Sequence, residues 1–226
     1  MNLAQQNKKL VVFDWGGIVF DLQNTDAMIK IWHQALCQAG VNIELSDIDS
    51  WWKLWHFNML TKDPQIINNN FLTILKEFGV DANSDTVRRL RLAMDSAIKN
   101  APMHKPIAEY IRQLIYDNRC CVGLLSNTEI PAVPALTAQL PISAFDYVWL
   151  SFELGMIKPD EQIYRFVEKD TNILPQNILF FDDNEKNLIP AQNRGWHTFL
   201  VDETMEDTQK VTIIAQTIDK FLGDKK

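Results

Sequence analysis

Asp14, Ser126 and the adjacent pair Asp182 and Asp183 are the side chains whose types and settings point to chemistry. Each follows a short apolar run: Val11-Val12-Phe13 leads into Asp14, Cys121-Val122-Gly123-Leu124-Leu125 into Ser126, and Ile178-Leu179-Phe180-Phe181 into Asp182. Runs of that length, bounded by turn residues, read as buried strands, so each polar group is delivered to a strand end. In open parallel sheets, ligands bind beyond the carboxyl ends of the strands. There Gly16 and Gly17 would let the backbone turn sharply or approach a ligand. Asp14 is therefore a candidate nucleophile or metal ligand. Carboxylates and a hydroxyl at one sheet edge suit a hard cation such as Mg2+, which takes oxygen ligands and keeps several waters, and Mg2+ in turn invites phosphate. Singly, each residue also has a plainer reading. Asp14 can simply make a turn before its glycines, and Asp182-Asp183 or Ser126-Asn127 can cap a following helix.

For those strand ends to meet, the chain between them must fold back repeatedly. From residue 104 onward helix and strand patterns alternate: helix over 106–116, strand over 121–125, strand over 147–150, helix over 161–168, strand over 178–181, helix over 188–193, strand over 198–201 and a last helix over 211–222. Alternation of this kind predicts a parallel sheet with helices on both faces, because right-handed crossovers place them there. Residues 22–99 differ, with helical signals only. Asn24 or Thr25 caps a segment carrying Ile29, Trp32 and Leu36 that Gly40 ends. Ser46 with Asp49 resembles a capping box ahead of Trp51, Leu54, Trp55 and Met59. Asp63-Pro64 opens a helix through Ile67, Phe71, Ile74, Leu75 and Phe78 to Gly79, and Ser84-Asp85 opens another through Leu90, Met94 and Ile98. The expectation is a catalytic core of residues 1–21 and 100–226 with an inserted helical cap over 22–99.

Composition limits the partners. A chain of 226 residues with 46% hydrophobic and 23% charged residues can bury a large core without staples. Its net charge of -7 argues against nucleic acid and against anionic membranes as partners. Three cysteines, two of them adjacent, form no disulfide framework, and the opening MNLAQQNKK lacks the apolar stretch of a signal peptide. No apolar run approaches a membrane span. A cytoplasmic monomer or homodimer acting on a small molecule is expected.

Four ordered motifs resemble those of the haloacid dehalogenase-like hydrolases across nearly the whole chain. They are Asp14 with Gly17-Ile18-Val19; Leu124-Leu125-Ser126-Asn127-Thr128; Ser151-Phe152-Glu153-Leu154-Gly155-Met156-Ile157-Lys158-Pro159-Asp160 continuing to Tyr164; and Phe180-Phe181-Asp182-Asp183-Asn184 continuing to Asn187. The resemblance implies a doubly wound parallel sheet, a Rossmann-like α/β core, with a type-one helical cap inserted after the first motif. It also implies phosphomonoester hydrolysis in two steps, with Asp14 attacking phosphorus to form an aspartyl phosphate that water then cleaves. Mg2+ would be held by Asp14, the main-chain carbonyl of Gly16 and Asp183, with Asp182 reaching it through water. Ser126 and the backbone amide of Asn127 would hold the phosphoryl oxygens, and Lys158 would set a positive charge against them.

One position departs from the pattern. Two residues after the nucleophile the family usually carries a second Asp, which protonates the leaving oxygen and then activates water; here that residue is Gly16. Its carbonyl still serves a cation, but departure of the leaving group would depend on substrate acidity or on a proton from water. Two further readings stay open: carbon-halogen hydrolysis by the same Asp without metal, which the Asp182-Asp183 pair argues against, and a phospholigand-binding protein without turnover, which Gly16 favours. Phosphomutase action is disfavoured by the same glycine. The aromatic stripe Trp51, Trp52, Trp55 and Phe57 has the spacing of cap core. The four histidines lack metal-ligand spacing, Asp21 reads as the start of the cap linker, and Asn187 suits either orienting the carboxylate pair or Lys158, or an ordinary first helical turn.

Overall fold

The computed structural model describes residues 8–20, 25–47, 63–99, 103–128, 140–202 and 204–223. Five strands form one sheet: β1 (Leu10–Phe13), β2 (Cys121–Ser126), β3 (Tyr147–Leu150), β4 (Ile178–Asp182) and β5 (His197–Leu200), in the order β3-β2-β1-β4-β5. Every pairing is parallel. A parallel sheet covered on both faces needs strands that are apolar throughout rather than alternating, and β1, β2 and β4 are buried at every position.

Because successive strand residues face opposite ways, these runs feed two separate cores. Val11, Phe13, Val122, Leu124, Leu179 and Phe181 point to one face. There they join Ile107, Ile111 and Leu114 of α4 (Lys105–Asp117) and Ile214 and Ile218 of α8 (Asp207–Leu222). Leu10, Val12, Leu125, Trp149, Ile178 and Phe180 point to the other. They meet Ile163, Tyr164 and Val167 of α6 (Glu161–Thr171) and Leu188 and Ala191 of α7 (Glu185–Asn193). A short helix, α5 (Ser151–Leu154), follows β3 directly. The doubly wound α/β sheet expected from the alternation is what the chain forms.

Between β1 and α4 lie α1 (Thr25–Gln38), α2 (Pro64–Glu77) and α3 (Ser84–Lys99). Asp63 caps α2 by accepting from the Gln65 amide, as its place before Pro64 predicts. Buried Leu36, Phe71, Ile74, Leu75, Val87 and Leu90 give these helices their shared apolar interior. The chain leaves β1 through a tight loop in which Gly17, at φ 69°, donates its amide to the Phe20 carbonyl. It returns beside its point of departure, where Phe20 bridges Met103 and the His104 amide donates to Val19. The helix expected over Trp51 to Met59, and Asp21, lie outside the described residues. No described helix is long and apolar enough to cross a membrane.

Two strands run one residue further than their apolar runs. Ser126 and Asp182 belong to β2 and β4, because β3 and β5 still pair with them through Leu150 and Leu200. Likewise α7 opens at Glu185, ahead of its first apolar residue, because the Asn184 side chain caps it by accepting from the Lys186 amide. The helix α8 opens at Asp207, four residues before the apolar stripe that signals it in sequence.

Gly123 shows how tightly the sheet is packed. A Cβ there would stand 2.7 Å from Cζ3 of Trp149, whose ring stacks on Tyr147 and whose Nε1 donates to Asp170. With that indole pinned, the clash has no cheap relief. Gly123→Ala should destabilise the fold by about 1–3 kcal/mol and lower the thermal midpoint, followed by circular dichroism, by roughly 2–10 °C.

Candidate active site

The sheet edge assembles the polar strand ends. Phe13, the last residue of β1, lies level with Leu124 and Phe181, and the Asp14 amide donates to the Phe181 carbonyl. Asp14 and Asp182 are therefore neighbours across one ladder. Asp14, Asp182 and Asp183 each bring a carboxylate oxygen within 4.8 Å of the others. Lys158 reaches this cluster from the irregular segment between α5 and α6. Its Nζ stands 2.8 Å from Asp14 Oδ1 and 2.7 Å from Asp182 Oδ2, over the Phe180 ring and only 2% exposed. A lysine in a loop before a proline would ordinarily be solvated, and this one is not.

The two adjacent aspartates have different surroundings. Asp182 is fully buried; its Oδ1 accepts from the Asn184 amide at 2.8 Å and from Asn187 Nδ2 at 3.0 Å, and its Oδ2 from Lys158 and, at 3.1 Å, again from Asn187. Tyr164 fixes Asn187 in turn, donating its hydroxyl to the Asn187 carbonyl at 2.6 Å. Asp183 is half-buried. Neither caps α7, since Asn184 does so. On Asp14, Oδ1 accepts from the Trp15 amide at 2.6 Å as well as from Lys158, which leaves Oδ2 as the oxygen without a protein donor among the described residues.

Ser126 closes β2, buried, at the same edge. The two residues after it are stitched to the segment that carries Lys158. Asn127 bonds the main chain of Lys158 through both ends of its carboxamide, and Ser151 Oγ donates to the Thr128 carbonyl and accepts from its amide, both at 2.9 Å.

Charge is unbalanced at this edge. Burial, then the neighbouring charge of Asp182, pushes Asp14 up to about 7 against the opposing pull of Lys158. Burial, then the charges of Asp14 and Asp182, pushes Asp183 up to about 8. Burial works against the Lys158 ammonium, yet the charges of Asp14 and Asp182 outweigh it and raise its pKa above the ordinary lysine value. Three carboxylates facing one ammonium leave a negative surplus. Oxygen-only donors converging in that setting fit a hard divalent cation, and among the described residues Asp14, Asp182 and Asp183 bring carboxylate oxygens close enough together to share one.

Asn187 takes the first of its two expected parts, orienting Asp182, whereas sequence reading assigned no part to Tyr164, which holds Asn187, or to Ser151, which holds Thr128. The signal for Asn187 was spacing: it falls five residues after Asp182, on the first turn of the next helix, facing back along it. Away from the cluster, His104 pairs with Asp207 and His33 bonds the Ile43 carbonyl, so neither gathers metal ligands. Cys120, just ahead of β2, and Cys121, its first residue, are buried, and Cys37 is exposed. The Trp15 indole Nε1 is buried with no hydrogen-bond partner among the described residues, packed against Phe20 and Phe145. The aromatic residues Trp51, Trp52, Trp55 and Phe57, and His56, lie outside the described residues.

A family model for haloacid dehalogenase-like hydrolases matches residues 8–195. A D-ribitol-5-phosphate phosphatase of Bacteroides thetaiotaomicron is 26% identical over 215 residues, spanning 91% of this chain and 98% of that protein. A HAD-like family hydrolase from Porphyromonas gingivalis superposes with a TM-score of 0.67 at 21% identity, covering 92% of this chain and 98% of the other. A HAD family enzyme of Bacteroides thetaiotaomicron, solved in complex with magnesium and inorganic phosphate, superposes with a TM-score of 0.63 at 21% identity, covering 88% and 96%.

Removing Lys158 tests the electrostatics directly. Its folded pKa is raised, so its stabilisation is complete throughout the neutral range and is lost only as pH rises through that raised value. Lys158→Met should cost about 3–5 kcal/mol near pH 8, because buried carboxylates lose their partner. Protonation of Asp14 relieves the unpaired charge, so the deficit should narrow towards pH 5. Urea unfolding of both proteins in chelator at the two pH values measures it.

Proposed function

The chain belongs to the haloacid dehalogenase-like hydrolases, and from that premise we propose that it is a Mg2+-dependent phosphomonoesterase acting on a small phosphate ester through an aspartyl-phosphate intermediate. The observation that carries this reading is the buried triad of Asp14, Lys158 and Asp182, with Asp183 half-exposed beside it. Resemblance to a D-ribitol-5-phosphate phosphatase over nearly the full length of both chains supports a sugar or sugar-alcohol phosphate as the substrate class.

In this reading Asp14 is the nucleophile. Its carboxylate attacks phosphorus through one oxygen while Lys158 and the Trp15 amide, both on Oδ1, fix the carboxylate plane before substrate arrives. The bond to the ester oxygen breaks as the new one forms, and the departing oxygen takes its proton from solvent. Water then cleaves the acyl phosphate and restores Asp14. Ser126 and the Asn127 amide bind phosphoryl oxygens, and Lys158 offsets repulsion between the carboxylate and the dianion. Asp14, the Gly16 carbonyl, Asp183 and, less directly, Asp182 would hold Mg2+, which would supply neutralisation of charge on the phosphoryl group. Residues 22–99 serve as the cap that selects the substrate over a core of 1–21 and 100–226.

The purified protein should hydrolyse an aryl phosphate with Mg2+, and both chelator and Asp14→Asn should reduce release of the phenol to background. Silence of the wild-type protein with Mg2+ present would favour a phospholigand-binding protein, because an aryl leaving group needs no acid. A panel of sugar and sugar-alcohol phosphates then ranks the substrate class.

Gly16 generates a second expectation. Restoring a carboxylate with Gly16→Asp should speed alkyl phosphates by up to about 10²-fold, within the usual contribution of a general acid, and change aryl phosphates far less. Steady-state kcat/KM on paired esters measures it, and the reverse ranking would remove the assigned role of that position.

A further inference from the structure

Asn127 makes contacts that its place after Ser126 does not announce. Its Nδ2 donates to the Lys158 carbonyl at 2.8 Å and its Oδ1 accepts from the Lys158 amide at 2.8 Å. A side chain here forms the two-point pairing that a neighbouring strand would otherwise supply. Lys158 needs such a partner, because residues 155–160 belong to no helix or strand that would hold their main chain. Its long side chain carries about 2 kcal/mol of rotamer entropy, yet its Nζ must land on carboxylates from two different strands at once. Asn127 can anchor that segment because it continues β2, which is paired on both sides, to β1 and to β3. The Ser151–Thr128 pair adds a second stitch along the same seam.

We propose that Asn127 is a positioning residue, whose carboxamide sets the place of the Lys158 ammonium between Asp14 and Asp182. As a statement about rate, this rests on the phosphatase reading above. It differs from the role assigned there to the Asn127 main-chain amide, which every substitution except proline retains. The side chain therefore joins the loop that binds phosphate to the loop that supplies the ammonium, so that the two keep one spacing.

The test is a double-mutant cycle on aryl phosphate with saturating Mg2+, using single-turnover rates in the slow backgrounds. Asn127→Ala should lower kcat by about 10- to 100-fold, the scale of a misplacement near 1 Å, with KM changed less than about 3-fold. In the Lys158→Met background the same substitution should cost less than about 3-fold, because its target is gone. Retention of kcat within about 3-fold of wild type, or an equal loss in both backgrounds, would overturn the assignment. If Asn127→Ala does not fold by circular dichroism, Asn127→Ser carries the cycle, since a hydroxyl cannot make both bonds. The nitrogen resonance of the Lys158 ammonium in lysine-labelled protein, identified by its loss in Lys158→Met, should shift or broaden in the Asn127 variant. That signal separates the two claims. A wild-type protein inactive on every ester ends the phosphatase reading, and an unmoved resonance ends the role of Asn127.

Discussion

The ammonium of Lys158 held between Asp14 and Asp182 is the contact on which the rest of this edge depends. An isolated buried charge is prohibitively costly, and so are two carboxylates placed side by side away from water. Lys158 makes their proximity tolerable without cancelling it: one positive charge faces two negative ones, with Asp183 close by as a third. The cluster is thus stable enough to form and negative enough to attract a cation. Sharing of each acceptor among several donors does the remaining work, as at Asp182, where Asn184, Asn187 and Lys158 all converge.

Strand order explains why these residues meet. The chain lays β1, β2 and β3 outward in one direction, then returns to place β4 on the opposite side of β1. The reversal falls between β1 and β4, the place where an open α/β sheet leaves a crevice at its carboxyl edge. Asp14 and the Asp182-Asp183 pair sit at the ends of those two strands. Residues 168 positions apart in the chain are brought side by side by a topology that apolar burial alone dictates. The site's chemistry is added at strand ends, where no core residue is displaced.

Much of this was legible in sequence because strands buried on both faces are continuous apolar runs, and the polar residue that ends each run is conspicuous. Asp14, Ser126 and Asp182 were found on that basis, and the alternation of patterns gave the doubly wound sheet. Lys158 was not visible in that way, since a lysine before a proline normally lies in solvent; only the motif around it singled it out. Periodicity also misjudged where elements begin. It tracks apolar residues, whereas Asn184 starts α7 with a side-chain hydrogen bond and Ser126 stays in its strand because a neighbour still pairs with it. The links of Asn127 to Lys158, and of Ser151 to Thr128, are hydrogen bonds across more than twenty residues, with no periodic trace at all.

The paired aspartates illustrate how one dipeptide can serve two purposes. Consecutive residues of an extended segment face opposite ways, so if Asp182 turns into the sheet edge, Asp183 cannot follow it there. The inward carboxylate is saturated by protein donors; the outward one is half-buried, and its pKa is raised to about 8 by burial and by repulsion from Asp14 and Asp182. Lys158 offsets only part of that repulsion, and an external cation can offset more. Replacing either aspartate therefore asks a different question of the molecule: the inward one holds the Lys158 ammonium, and in the proposed function the outward one would hold the cation. That division follows from strand geometry before any substrate is considered, and it is the reason a single carboxylate at the end of β4 would not suffice for the proposed chemistry.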